Sequence, residues 1–203
     1  MEALAEAAAD PAFPAEIVGV LSDKAEAGGL AVARGRGIEA IAVPRKGLAD
    51  KAAHEAAICA EIDRLGGEII CLAGFMRLLS PEFIRRYRGR IINIHPSLLP
   101  LFPGLDTHER AIEAGMRVHG CTVHFVTEGM DEGPIIAQAA VPLLPTDDTA
   151  RLAARVLVAE HRLYPAALAM LADGKVRMDE AGRTAFAANF ASSEDATPLI
   201  SAG

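Results

Sequence analysis

The chain has 203 residues, of which 51% are hydrophobic and only 4% aromatic, so it can bury a sizeable core that must be mainly aliphatic. Its formal net charge of −7 argues against a nucleic-acid partner, because such proteins need a basic face to neutralise phosphates. Three cysteines, Cys59, Cys71 and Cys121, have neither zinc-site spacing nor the even number of a disulfide framework. Without a leader pattern or an apolar run long enough to cross a bilayer, the sequence indicates a cytoplasmic protein with no membrane partner.

Short apolar runs alternate with amphipathic segments through the first half of the chain. Ser80 and Pro81 have the residue types of a helix cap and a first helical turn. The alternation predicts a three-layer α/β fold with a mostly parallel, twisted sheet. The expected strands are 17–22, 38–43, 68–72 and 90–94, and the expected helices are 25–35, 50–65 and 81–88.

The second half predicts an antiparallel portion. The expected elements are a helix at 107–114, strands at 118–127 and 135–143, and a long helix at 147–171 that Pro165 kinks or breaks. Residues from Thr184 onward have no clear period, and residues 191–203 are expected to form a disordered tail. Because no linker divides the chain, residues 1–190 are expected to form one domain.

Asn93 and His95 are the strongest candidates for chemistry. They lie two residues apart at the end of a predicted strand, so their side chains should point to the same side. Ligand sites of open α/β sheets form at such strand ends. An asparagine amide can donate to a developing oxyanion, and an imidazole can stabilise that charge or move a proton, which together suit acyl transfer. The simpler alternative is an asparagine that caps a turn beside a hydrogen-bonded histidine.

The loop at residues 127–134 holds a second candidate, Asp131, between glycines. Asp131 could lie against the imidazole of His95 or orient a water that carries a proton. An ordinary acidic turn is the alternative, since Asp and Gly are common turn residues. His119 and His124 differ in parity on one predicted strand, so they should face opposite sides. No histidine pair predicts a metal site, and no dinucleotide fingerprint or nucleophile elbow indicates NAD or hydrolase chemistry.

The segment Asn93-Ile-His-Pro-Ser-Leu-Leu-Pro100 resembles the core motif of the folate-dependent formyltransferases. Its continuation, Phe102-Pro-Gly-Leu-Asp-Thr-His108, resembles the glycinamide ribonucleotide branch of that family rather than the methionyl-tRNA or deformylase branches. The likeness extends over about residues 17–178, and further segments that carry it are Leu72–Pro81, His119–Thr127, Asp131–Ile135 and Ala159–Pro165. It implies a Rossmann-like formyltransferase fold.

The resemblance also implies an activity. The formyl group of 10-formyltetrahydrofolate would pass to the amine of glycinamide ribonucleotide, in purine biosynthesis, through a tetrahedral oxyanion and without a metal. Asn93, His95 and Asp131 match the family's catalytic trio, with His95 as general acid, and Thr122 matches a supporting hydroxyl. The partners would be these two small molecules, and the protein would be a monomer or a homodimer.

Binding residues follow from the same resemblance. On the folate side the matching positions are Lys51, Met76, Arg77, Leu78, Leu79 and Asn93. On the ribonucleotide side they are Gly74, Phe75, Pro96 and Glu160.

The start of the chain departs from the family pattern. Family members open with a buried strand and a Gly-x-Gly-Ser-Asn turn that binds the substrate phosphate, whereas Met1–Leu4 resembles the start of the helix after that turn. The native protein is therefore expected to begin upstream of Met1. A chain complete as written would have a gap in its sheet, and weak substrate affinity and poor stability would be expected of it.

Two alternatives to this activity remain. One is another enzyme that uses formyl folate, either a deformylase or a sugar-amine formyltransferase. The other is an inactive folate- or nucleotide-binding homologue, which the absent phosphate turn makes plausible.

Overall fold

A computed structural model describes residues 1–75 and 77–188. The helices of this part are α1 (Glu2–Ala7), α2 (Gly28–Gly35), α3 (Lys51–Leu65), α4 (Pro81–Arg86), α5 (Thr107–Glu113) and α6 (Thr149–Ala172). The strands are β1 (Val20–Ser22), β2 (Ala40–Ala42), β3 (Ile70–Leu72), β4 (Ile91–His95), β5 (Val118–Phe125), β6 (Ile135–Pro142), β7 (Val176–Met178) and β8 (Thr184–Phe186).

The strands pair in parallel early in the chain and antiparallel later. Within the described residues β1 pairs with β2 in parallel, and a separate four-stranded sheet has the order β3-β4-β5-β6. In that sheet β3 and β4 are parallel, whereas β5 runs antiparallel to both β4 and β6. The predicted mixed α/β class, mostly parallel with an antiparallel later part, is confirmed.

Helices cover both faces of the four-stranded sheet. Ile91 packs in a cluster with Ile62 of α3 and Phe83 of α4. The next residue, Ile92, packs in a different cluster with Tyr164 and Leu168 of α6. Because successive residues of a strand face opposite sides, these clusters lie on the two faces of the sheet, which gives the three layers that the sequence predicts.

Local capping residues set the limits of the helices. The Asp50 carboxylate accepts a hydrogen bond from Ala53 N–H at 2.8 Å, and α3 ends at Gly66, whose φ of 68° lies in the left-handed region. Ser80 Oγ accepts from Phe83 N–H at 3.2 Å, with Pro81 in the first turn of α4. These short-range signals explain why α3 and α4 begin where the sequence predicts.

The structure corrects two sequence expectations. The sequence predicts a kink or a break at Pro165, and the break is wrong, because helix α6 continues through this residue. The buried residues Tyr164 and Leu168 anchor the helix to the sheet on either side of the missing N–H. Strands β7 and β8, which pair antiparallel with each other, lie outside the predicted strands, because neither belongs to an apolar run like those that contain β1, β2 and β3. The expected tail at 191–203 lies outside the described residues. No helix in the described part is long and apolar enough to span a membrane.

Candidate active site

Asn93 and His95 occupy the carboxyl end of β4 and face the same side of the sheet. Across the antiparallel pair, Asn93 lies opposite His124, and His95 lies opposite Thr122. Residues directly opposite each other in a ladder share a face, so four polar side chains meet at the end of β4. The sequence predicts three of them as site residues, and the fourth is His124.

The imidazole of His95 lies between two oxygen atoms. Its Nδ1 is 3.4 Å from Oδ2 of Asp131, and its Nε2 is 3.0 Å from the main-chain oxygen of Phe102. Asp131 comes from the loop after β5 and has a φ of 55°, and its Oδ2 also accepts from Gly104 N–H at 2.9 Å. The structure thus brings together the imidazole and the carboxylate that the sequence predicts to meet.

His124 fixes the amide of Asn93. Its Nδ1 lies 2.8 Å from the main-chain oxygen of Phe125 and therefore carries the proton that is donated there. Burial lowers the pKa of His124, which keeps the ring neutral and leaves Nε2 as an acceptor. Nδ2 of Asn93, 3.4 Å from that Nε2, is then the donor. Sequence reasoning placed His124 on a strand but missed this contact, although its spacing of two from Thr122 puts both on one face.

Thr122 holds the loop that follows His95. Its buried Oγ1 donates to Ser97 O at 2.7 Å and accepts from Leu99 N–H at 3.0 Å. Gln138 of β6 donates to the same hydroxyl and to Leu99 O, each at 2.9 Å. A hydroxyl has one donor and two acceptor positions, and all three are used here. Thr122 acts on the loop rather than on the imidazole directly, and sequence reasoning missed Gln138.

Two further histidines lie behind this loop. The rings of His108 and His119 meet edge to face with centroids 5.3 Å apart, and His119 also contacts Phe102. Burial, with a smaller contribution from His108, lowers the pKa of His119 to about 4. No group of three His, Cys, Asp or Glu side chains in the described part of the chain is arranged to hold a metal ion.

Known proteins are similar to this chain in both sequence and fold. A family model described as formyl transferase matches residues 1–168. The chain is 41% identical over 180 residues to phosphoribosylglycinamide formyltransferase of Escherichia coli strain K12, which covers 89% of this chain and 85% of that protein. The chain belongs to the phosphoribosylglycinamide formyltransferase family.

Solved structures of this formyltransferase family superpose on the chain. The phosphoribosylglycinamide formyltransferase of Brucella melitensis is 66% identical with a TM-score of 0.82, covering 85% of this chain and 88% of that one. Glycinamide ribonucleotide transformylase 1 of Symbiobacterium toebii is 42% identical with a TM-score of 0.86, covering 91% and 87%. The chain is also 44% identical over 183 residues to the bovine trifunctional purine biosynthetic protein adenosine-3, but spans only 18% of that protein's length.

The segment after β3 contains most of the predicted folate-side residues. Gly74 has a φ of 67°, and a Cβ added there would meet no atom within 4 Å. Arg77 Nη2 pairs with Asp23 at 2.6 Å, and Leu78 is 59% exposed. Leu79 instead packs against the cluster of α3 and α4. This segment is accessible and follows the strand next to Asn93. Met76 lies outside the described residues.

The other predicted binding residues are more scattered. Phe75 is partly buried. Lys51 begins α3 and pairs with Glu55 at 3.8 Å. The carbonyl of Pro96 accepts from Thr107 Oγ1 at 2.6 Å, which ties the loop after β4 to α5. Burial raises the pKa of Glu160 on α6.

Two cavities lie away from the end of β4. One of about 310 Å³ is lined by Val43, Leu48 and neighbouring residues beside β2. The other, of about 500 Å³, lies between α1 and α6 and is lined by Glu2, Glu6 and His161 among others. Neither of these two cavities is lined by Asn93, His95 or Asp131.

Proposed function

We propose that the protein transfers the formyl group of 10-formyltetrahydrofolate to the amine of glycinamide ribonucleotide, a step of purine biosynthesis. The observation that carries the proposal is the meeting of Asn93, His95 and Asp131 at the end of β4, with Asp131 Oδ2 3.4 Å from His95 Nδ1. An amide donor, an imidazole and a carboxylate are the groups that acyl transfer to an amine requires.

The reaction makes one carbon–nitrogen bond and breaks another. The amine of the ribonucleotide attacks the formyl carbon, which gives a tetrahedral oxyanion. Collapse of that oxyanion breaks the bond to the folate nitrogen, and the proton lost by the amine is delivered to that nitrogen. The products are formylglycinamide ribonucleotide and tetrahydrofolate, so no metal, oxidant or nucleoside triphosphate enters the balance.

Asn93 stabilises the developing negative charge. One of its two Nδ2 hydrogens is donated to neutral His124, and the second is free to donate to the formyl oxygen. The bond to His124 fixes the amide before substrate arrives, so little reorganisation is needed during the reaction.

His95 and Asp131 move the proton. A protonated His95 ring can donate toward Phe102 O and Asp131, and a small ring movement redirects one N–H to the substrate. In this proposal Asp131 orients a water that accepts the amine proton. The imidazole is the general acid of the proposed mechanism, and the carboxylate supports it.

Each substrate has its own set of proposed binding residues. Lys51, Met76, Arg77, Leu78 and Leu79 form the proposed folate side. Gly74, Phe75, Pro96 and Glu160 form the proposed ribonucleotide side. We also propose that residues 1–190 act as one domain, since Ile94 and Leu163 each pack against two of the hydrophobic clusters and join them.

The proposal is tested by giving the purified protein formyl folate with one acceptor at a time: glycinamide ribonucleotide, an amino sugar phosphate, or water alone. Release of tetrahydrofolate that depends on glycinamide ribonucleotide is the expected result, and mass spectrometry of the nucleotide should show one added formyl group. Release with water alone would identify a deformylase instead. Binding of a folate analogue with no turnover on any acceptor would identify an inactive homologue.

A further inference from the structure

Arg110 of α5 lies outside the groups described above and holds the loop that touches two of them. Its Nη1 donates to Pro103 O at 2.6 Å and to Leu105 O at 3.2 Å. Its guanidinium also lies over the ring of Phe102, 5.4 Å from the centroid. Three contacts from one partly buried side chain therefore fix residues 102–105.

The same loop bonds to both His95 and Asp131. Phe102 O lies 3.0 Å from His95 Nε2, and Gly104 N–H donates to Asp131 Oδ2 at 2.9 Å. These two contacts come from residues two apart in the chain. The loop therefore spans the imidazole and the carboxylate, and a shift of the loop would change the distance between them.

The backbone of this loop needs external support. Phe102 and Asp106 have φ angles of 53° and 57°, in the left-handed region that residues other than glycine seldom adopt. Such conformations persist where surrounding contacts determine them. The two hydrogen bonds of Arg110 are made to the main chain between these two residues, where they oppose relaxation of the loop.

We infer that Arg110 is a positioning residue for formyl transfer, which acts by holding the Phe102–Leu105 loop so that His95 and Asp131 keep their relative placement. This inference rests on the proposed function. Arg110 itself contacts neither substrate in this mechanism. Its loss should therefore slow the chemical step without weakening substrate binding.

The test compares two variants of Arg110 with a matched control. Arg110→Met keeps an unbranched apolar side chain and removes the charge and the donors. Arg110→Lys keeps the charge and a terminal donor. Arg151→Met is the control, because Arg151 Nη1 also donates to a carbonyl five residues earlier, Thr146 O at 2.8 Å, but on α6. In Arg110→Met we expect kcat to fall roughly ten- to a hundredfold while KM for both substrates changes less than about twofold. Arg110→Lys should recover part of kcat, and the control should match the unsubstituted protein.

A second measurement needs no turnover. Hydrogen exchange of the Gly104 amide, which Asp131 protects, should be faster in Arg110→Met than in either the unsubstituted protein or the control. This measurement shows whether Arg110 holds the loop even if the protein proves inactive with glycinamide ribonucleotide. The role of Arg110 and the proposed function can therefore fail separately. If Arg110→Met does not fold, the same measurements on Arg110→Lys test the inference.

Three results would overturn the inference. The first is a kcat equal to that of Arg151→Met. The second is a raised KM with unchanged kcat, which would make Arg110 a substrate contact. The third is a reduced kcat with unchanged exchange at Gly104, which would exclude the loop as the route.

Discussion

The end of β4 and the segment after β3 are neighbours in the sheet but differ in how their polar groups are satisfied. At the end of β4, the buried side chains of His95 and Thr122 are held by the loop after β4, by Asp131 and by Gln138 of β6. After β3, the Arg77 side chain is 40% exposed and Leu78 is 59% exposed. The comparison indicates that the groups proposed to react are fixed by several bonds, whereas Arg77 and Leu78, which are proposed to bind folate, are accessible. Substitutions in the two regions should therefore have effects of different size and kind.

The largest effect is expected at the reacting groups. His95→Ala and Asp131→Asn should each lower kcat by roughly a hundredfold or more, because each removes a group that moves or supports the transferred proton. Steady-state rates with both substrates measure this, and Asp173→Asn, an exposed aspartate paired with Lys175, is the control. Rates near those of the unsubstituted protein would remove the altered residue from the mechanism.

A smaller effect is expected where the backbone is closely packed near the site. In Gly133→Ala, the new Cβ would lie 1.6 Å from Phe125 O, so the main chain beside His124 must shift. We expect the free energy of unfolding to fall by about 1–3 kcal/mol. In Gly35→Ala, at the end of α2, the Cβ meets nothing within 4 Å, and a gain of about 0.4–1 kcal/mol is expected. Urea denaturation measures both, and equal values would contradict the packing argument.

Acid should lower the free energy of unfolding in two separate pH ranges. The pKa of His119 is lowered by burial from 6.5 to about 4, so the unfolded chain takes up a proton that the folded chain resists. This group should therefore leave the free energy of unfolding unchanged above pH 6.5 and lower it progressively as the pH drops from 6.5 to 4. Hydrogen bonds from Arg155 lower the pKa of Asp147 from 3.8 to about 2, which adds a second loss between those values.

Substitution separates these two ranges. His119→Phe should reduce the dependence of the free energy of unfolding on pH between 6.5 and 4 and leave the lower range unchanged. Part of the upper dependence should remain, because burial also lowers the pKa of His108 and of His124. Asp147→Asn should do the reverse. Chemical denaturation at a series of pH values measures both curves, and an unaltered upper range in His119→Phe would show that another group causes it.

The smallest effect is expected in the accessible segment after β3. Arg77→Gln removes the half-exposed pair with Asp23, so the free energy of unfolding should change by less than about 1 kcal/mol. KM for formyl folate should rise by about fivefold or less with kcat unchanged, as the loss of one exposed charge contact allows. The control is Arg86→Gln, which removes the exposed ion pair between Arg86 of α4 and Asp63 of α3. Equal KM values in both variants would remove Arg77 from the folate side.

The sequence predicted the features that depend on neighbours along the chain. Ser80 and Pro81 predicted the start of α4 through contacts within one helical turn. The spacing of Asn93 and His95 predicted a shared face, because alternation along a strand needs no knowledge of the rest of the fold. The loop at residues 127–134 predicted Asp131 as a candidate, but no local pattern distinguishes it from a turn residue, and the family resemblance favoured the catalytic role.

The sequence could not predict the bonds that join distant residues. Gln138 reaches Leu99 across 39 positions of the chain, and Asn93 reaches His124 across 31. Such contacts depend on the register of β4 against β5 and of β5 against β6, and a shift of one residue would turn every side chain to the other face. Pro165 shows the opposite case, in which packing on the sheet overrides a local signal.

The hydroxyl of Thr122 has a consequence for how this position can vary. Its donor and both acceptor positions are occupied by Ser97 O, Leu99 N–H and Gln138. Valine has the same shape but would leave the buried Ser97 O and Leu99 N–H without this partner and would remove one of the two bonds of Gln138, whereas serine keeps the oxygen and loses only a methyl group. Of the genetically encoded residues only serine and threonine meet this requirement, so single-nucleotide changes to isoleucine or alanine at codon 122 should be selected against while changes to serine persist.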